Sequence, residues 1–239
     1  MTVVRLLPLD DVDLDDTGGL ELGTGTVVGV STRVLPDAAA PLLERLTFTI
    51  APGGPGATWV DAAPPDGEVP ALPARVLDDV LRLTAGLPVE DGLVVESLAY
   101  STLLAGPVFR SWRSERPRRA PSARDAEPVH LTRTGDVLDV RLDVPERHNA
   151  FSAAMRDALI EALEVARWDE SVTEVRLTGA GPSFSSGGDL DEFGTAPDVV
   201  SAHAIRLERS AGLAVHRLRD RVRPVLHGAC IGAGIEIPA

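Results

Sequence analysis

Ser183-Phe184-Ser185-Ser186-Gly187-Gly188-Asp189-Leu190 is the stretch on which the reading of the fold turns. It lies between a strand-like run, Val175-Arg176-Leu177-Thr178, and an acidic segment that reads as a helix start. Two glycines in succession permit positive φ and close approach of the main chain to a ligand, where a plain turn needs only one. A second cluster, Gly228-Ala229-Cys230-Ile231-Gly232-Ala233-Gly234-Ile235-Glu236, follows the short strand-like run Arg223-Pro224-Val225-Leu226. It reads as a loop entering a helix, whose first N–H groups favour negative charge. Two such amide sources suit an oxyanion hole, in which fixed donors meet charge as it develops.

Outward from these loops the chain alternates between strand and helix. Val137 to Val144 is apolar at every second position, Leu138, Val140, Leu142 and Val144, which predicts a half-buried strand that Pro145 ends. Ser152 is placed to cap a helix running to about Trp168, with Met155, Leu159, Leu163 and Ala166 on one face. This rhythm puts the first glycine loop at a strand end, where α/β proteins gather ligand sites. Pro197 to Val222 reads as helical, with Ile205, Leu213, Val215 and Leu218 apolar. His203 and His216 have no neighbours at metal-ligand spacing, so both read as packing or solvent-edge residues and no metal is expected.

Residues 1–112 form a separate, partly helical α+β region. Leu46 to Ile50 reads as a strand, Ala51 to Pro70 as a Pro/Gly-rich loop, and Ala74 to Leu83 as a packing helix with Val76, Leu77, Val80 and Leu81 on one face. Val89 to Trp112 carries Leu93, Leu98, Leu103, Phe109 and Trp112 at looser helical spacing. Residues 113–128, rich in Arg, Pro, Ser and Ala, read as a linker and solvated connector. Their arginines leave open a docking site for the phosphates of a ligand or an acidic partner.

A net charge of −13, from 36 acidic against 23 basic residues, argues against a general nucleic-acid or anionic-membrane binder. The basic residues are arginines without a lysine, so any phosphate contact must use a guanidinium fork. A single cysteine, Cys230, excludes an internal disulfide and fits a reducing cytoplasm. The opening residues lack a long apolar core and soon turn acidic, unlike a signal peptide or a membrane span.

Three motifs in order carry a resemblance over residues 129–239. They are Pro145-Glu146-Arg147-His148-Asn149-Ala150; Thr178-Gly179-Ala180-Gly181 running into Phe184-Ser185-Ser186-Gly187-Gly188-Asp189-Leu190; and Arg223-Pro224-Val225 leading to Gly228 and Gly232-Ala233-Gly234-Ile235-Glu236. This part resembles the front of the enoyl-CoA hydratase/isomerase (crotonase) superfamily. The resemblance implies an α/β fold built as a spiral of ββα turns, incomplete here. It also implies a lyase or isomerase of fatty acid metabolism that binds acyl-CoA thioesters, without a separate cofactor since CoA belongs to the substrate. An enolate-like anion would be held by the amides matching Gly188 and Ala233. Glu236 matches a glutamate that handles a proton at the substrate α/β carbons, though it also suits a helix first turn by charge alone.

Along the substrate the resemblance sets Arg147, Ala150, Ser186, Gly187, Asp189 and Leu190. Main-chain groups of Ala150, Ser186 and Leu190 would face adenine, and Arg147 would either meet phosphate or stand solvated in its turn. Asp189 reads as a helix N-cap as well, and Asn149 as the cap of its own turn. The family's hydratases use a second glutamate further along than Ala239, so the 239-residue chain is expected to be catalytically impaired. Relatives form trimers or hexamers, which makes a homo-oligomer the expected assembly of the full-length protein.

Alternatives to a hydratase are a non-catalytic partner protein of the same fold, a cofactor-free CoA-ester oxygenase and an isomerase. A serine hydrolase is disfavoured because the three serines lack a Gly-x-Ser-x-Gly frame and no His/acid pair is recognisable downstream. A dinucleotide site would need a third glycine after Gly232-Ala233-Gly234.

Overall fold

The computed structural model describes residues 5–14, 16–22, 27–46, 48–55, 59–60, 71–118 and 127–239. Backbone contacts divide the chain into two compact units, Met1–Ala99 and Tyr100–Ala239. Of the segment expected to be a linker, residues 119–126 lie outside the described ones. Among the described residues no single helix is long and apolar enough to cross a membrane.

The first unit holds four short strands, β1 (Arg5–Pro8), β2 (Val27–Val30), β3 (Phe48–Ile50) and β4 (Trp59–Val60), paired in that order and parallel throughout. Helix α1 (Ala40–Leu43) lies between β2 and β3, and α2 (Ala71–Thr84) follows the sheet. Leu9, Leu35, Ala39, Leu42, Leu43 and Leu46 close a small apolar core. Leu46, expected inside the strand, is instead a buried residue ahead of it, and Thr47 is outside the described residues. The expected loop 51–70 carries β4; the rest of it from 56–58 and 61–70 is not described. Helix α2 forms where periodicity placed it, yet Leu77 and Leu81 stay about half exposed (55% and 48%), so this face does not pack as expected.

The looser apolar pattern over 89–112 resolves into two helices, α3 (Val89–Leu104) and α4 (Pro107–Ser114). Pro107 forces the break: lacking an N–H and fixed in φ, it is tolerated only in a helix first turn, where it opens α4. Helix α4 runs on to Ser114, inside the segment expected to be a connector.

The second unit is built on β5 (Val129–Thr134), β6 (Val137–Leu142), β7 (Glu174–Gly179) and β8 (Val222–Pro224), in that order. The first pair is an antiparallel hairpin and the later pairings are parallel. The alternation read from the sequence holds, with Leu138, Val140 and Leu142 buried. Helix α5 (Ala153–Trp168) crosses between β6 and β7, and Ser152 Oγ accepts from Met155 N–H at 3.1 Å as its cap. Its buried stripe of Met155, Leu159, Leu163 and Ala166, with Ala162, packs on the sheet. Between β7 and β8 come α6 (Val199–Glu208) and α7 (Ala211–Arg217), capped by Asp198 and Ser210. After β8 a loop leads to the single turn α8 (Ala233–Glu236). The two glycine loops follow β7 and β8, so parallel neighbours deliver both to the same sheet end.

Candidate active site

Three loops meet where β6, β7 and β8 end, and Asn149 joins the first two. Past the short turn Pro145–Arg147, His148 and Asn149 both adopt φ of 52°, a left-handed conformation that Asn tolerates better than most residues. The Asn149 side chain is fully buried, and its Oδ1 accepts from Val144 N–H at 2.8 Å. Its Nδ2 donates to the carbonyls of Ala180, Ser183 and Phe184 at 2.9, 2.9 and 3.0 Å. The cap expected from the sequence is therefore also a bridge to the loop after β7.

Ser185 carries the linkage onward. Its buried hydroxyl donates to the Asn149 carbonyl at 2.8 Å and accepts from Gly187 N–H at 3.2 Å. Phe151 N–H then donates to Gly187 C=O at 2.7 Å, and Asp189 N–H to Phe151 C=O at 3.2 Å. This is a parallel bridge centred on Phe151 and Gly188. It uses the groups on either side of Gly188 and leaves the Gly188 N–H donating to no group among the described residues.

The third loop docks backbone to backbone. Ser185 N–H donates to Ala229 C=O at 3.2 Å, and Ile231 N–H donates to Ser185 C=O at 3.1 Å. A methyl group on Gly234 would stand 2.3 Å from the Ser185 carbonyl oxygen, and one on Gly187 2.3 Å from that of Ile231. Neither neighbour is a flexible side chain, so glycine is required at both positions. The same position on Gly187 lies 3.5 Å from the Ala233 nitrogen. Ala233 opens α8, and its N–H has no acceptor among the described residues, as first-turn amides lack intrahelical partners. Beside Ala233 is a small apolar crevice walled by Leu142, Phe151, Phe184 and Ile237. Glu236, at the end of α8, is exposed, with Oε1 3.9 Å from where a Gly232 side chain would begin.

Arg147 is engaged by acids. Its Nη2 lies 2.9 Å from both Asp189 oxygens and from Asp191 Oδ2. Burial acts to lower its pKa, but hydrogen bonds and charge from Asp191 and Asp189 outweigh this and hold it above the ordinary value. Asp189 does not cap a helix, which corrects one of its expected roles. Its Oδ1 accepts from Asp191 N–H at 3.0 Å, and residues 190–194 continue as turns. The carboxylate that would have capped free amides is taken by Arg147.

Among the other residues set along the substrate, Ser186 N–H donates to His148 C=O at 2.9 Å and Ala150 N–H to Arg147 C=O at 3.1 Å. The Leu190 carbonyl accepts from Arg113 Nη1 at 2.8 Å. His148 Nδ1 lies 3.0 Å from Ser183 Oγ, a pairing that no motif downstream of the serine announces because the histidine comes earlier in the chain. Ser183 is buried, and no carboxylate is hydrogen-bonded to His148 among the described residues, so the third member of a hydrolytic triad is lacking. The bridging role of Asn149 was also missed. Its only local signal was a polar amide directly after a proline turn.

Residues 132–238 match the family model described as enoyl-CoA hydratase/isomerase. Over 109 residues the chain is 35% identical to 1,2-epoxyphenylacetyl-CoA isomerase of Escherichia coli, covering 42% of this chain and 40% of that protein. Over 118 residues it is 31% identical to 4-chlorobenzoyl coenzyme A dehalogenase-2 of an Arthrobacter species, covering 48% and 43%. Among solved structures, an enoyl-CoA hydratase of Thermoplasma volcanium is 27% identical, with a TM-score of 0.42, over 47% of this chain and 45% of that one. The chain thus spans about two fifths of the length of the curated relatives it matches. The Asn149 turn and both glycine loops fall inside the matched stretch, and the family model and the curated relatives alike point for this stretch to the enoyl-CoA hydratase/isomerase (crotonase) superfamily.

Proposed function

We propose that the second unit binds an acyl-CoA thioester and holds its carbonyl oxygen between the N–H groups of Gly188 and Ala233. One observation carries this reading. Both amides lack acceptors among the described residues, on loops fixed backbone to backbone through Ser185 and Gly234. Donors preorganised in this way stabilise an enolate-like anion without reorganising during the reaction. Glu236, on the turn that Ala233 opens, is the proton-transferring group of this proposal, working at the carbons next to the thioester. Main-chain groups of Ala150, Ser186 and Leu190 would face the adenine end. Arg147 anchors Asp189 and Asp191, so in this reading it shapes the CoA-facing loop and its charge is already balanced there. CoA enters as part of the substrate, and the chemistry is that of a hydratase or isomerase.

The test compares acetyl-CoA with the thioether analogue S-ethyl-CoA, which lacks the carbonyl oxygen, by calorimetric titration of the chain. Losing hydrogen bonds to that oxygen should weaken binding by about tenfold. Equal affinities for the two would overturn the oxyanion reading.

A further inference from the structure

The Gly188 amide has an aromatic neighbour. A methyl group on Gly188 would stand 2.9 Å from ring atoms Cε1 and Cζ of Phe193, so this ring packs directly on the α-carbon of the proposed donor. The ring is backed by residues that precede the family-matched stretch but belong to the same compact unit. Tyr100 meets Phe193 edge-on at 6.3 Å, and Trp112 of α4 lies 6.5 Å from it. Phe109 stacks on Trp112 at 5.6 Å with 28° between the rings, and occupies the side-chain space of Gly194. The guanidinium groups of Arg113 and Arg116 stand 5.2 and 5.1 Å from the Trp112 ring centre.

Two arginines tie the same segment to the main chain of the glycine loop. Arg113 Nη1 donates to Leu190 C=O at 2.8 Å and Arg118 Nη2 to Phe193 C=O at 3.4 Å. These arginines, read from sequence as a solvated connector, are thus committed to Trp112 and to the loop. Aromatic pairs and cation–π contacts each contribute beyond their buried area. The Phe193 ring is therefore packed among these rings, on a short loop that is itself tethered.

We propose that α4 is a specificity element of the site, with Trp112 a positioning residue that acts through Phe193. Resting on the thioester reading above, the proposal concerns the acyl group. A carbonyl held at the Gly188 amide stands beside the Phe193 ring, so straight acyl chains fit and acyl groups branched next to the thioester do not. In this proposal the Trp112–Phe193 pair discriminates among acyl groups, while α4 reaches the CoA-facing Leu190 carbonyl through Arg113 instead.

The test measures affinities of the 239-residue chain for butyryl-CoA, isobutyryl-CoA and CoA itself. A misfit of one methyl group is worth about tenfold, so the native protein should prefer the straight chain by about that factor. In Trp112→Ala the ratio should fall to within about twofold, while CoA affinity stays constant. Trp112→Phe should restore the ratio, and Phe193→Leu should lower it independently of any effect of Trp112→Ala on folding. A native protein that binds both acyl groups equally, or variants that keep the native ratio, would overturn this proposal alone. A parallel loss of CoA and both acyl-CoAs in Trp112→Ala and Phe193→Leu would show a purely structural role and also overturn it. Failure of the native chain to bind any of the three would overturn the thioester reading itself.

Discussion

The Ser185 hydroxyl donates to the main-chain carbonyl of Asn149 at 2.8 Å, coupling the turn after β6 to the glycine loop after β7. The same oxygen accepts from Gly187 N–H, so one buried hydroxyl fixes the residue preceding the proposed Gly188 donor. With the Asn149 side chain gripping three carbonyls 31 to 35 residues away, the site is held by a polar network inside an apolar core.

Removing that network should be costly. Asn149→Ala leaves Val144 N–H and three carbonyls without their partner, at a cost of about 1–3 kcal/mol for a buried unsatisfied group. The variant is expected to lose about 3 kcal/mol or more of unfolding free energy in urea titration. A loss below about 1 kcal/mol would mean that water or a rearranged loop replaces the amide.

Gly234→Ala tests the docking of the two loops. Its methyl group would lie 2.3 Å from the Ser185 carbonyl oxygen, so the main chains must separate. Overpacking of this kind costs about 1–3 kcal/mol, and the separation moves Ala233 away from Gly188. Acetyl-CoA affinity should drop by about tenfold or more, with a far-UV circular dichroism spectrum like that of the native chain. Native affinity in the variant would show that the loop spacing is not what sets the ligand site.

For Glu236 the informative quantity is proton exchange. If it moves a proton at the carbon next to the thioester, Glu236→Gln should slow deuterium uptake there by about 10²-fold or more, with acyl-CoA affinity nearly constant. The readout is proton NMR of acetyl-CoA in deuterated buffer. Exchange within about twofold of the native rate assigns Glu236 to charge at the helix terminus alone.

Part of the acid sensitivity should come from two surface carboxylates. Hydrogen bonds from the Ser31 and Thr32 hydroxyls and from Thr32 N–H lower the Asp10 pKa from 3.8 to about 2. Bonds from Ser171 and Arg133 do the same for Asp169, also to about 2. A pKa lowered by folding contributes stability that is complete above the unfolded value and is lost as pH falls through the folded one. Stability should therefore decline between about pH 4 and about pH 2. Asp10→Asn and Asp169→Asn should each flatten that decline in denaturant titrations at a series of pH values. A native slope in both variants would exclude these groups as its source.

What the sequence determined by itself is local. Alternation at Leu138, Val140 and Leu142 and the α5 stripe from Met155 to Ala166 were legible because periods of two and of 3.6 report which side of an element is buried. Ser152 as a cap and the two glycine loops were legible for the same reason, since their chemistry lies within a few residues. Strands of two to four residues in the first unit were too short to show a period, so their parallel pairing was invisible. Periodicity also names no partner, which is why the apolar face of α2 looked like a packing face yet leaves Leu77 and Leu81 exposed. Only the tertiary structure decided that Asn149 bridges two loops, that Arg147 binds the Asp189 carboxylate, and that Phe193, which meets Gly188, also packs with Trp112. Each of these depends on main-chain and ring contacts between residues far apart in sequence, and chain closure, which no local pattern encodes, brings them together.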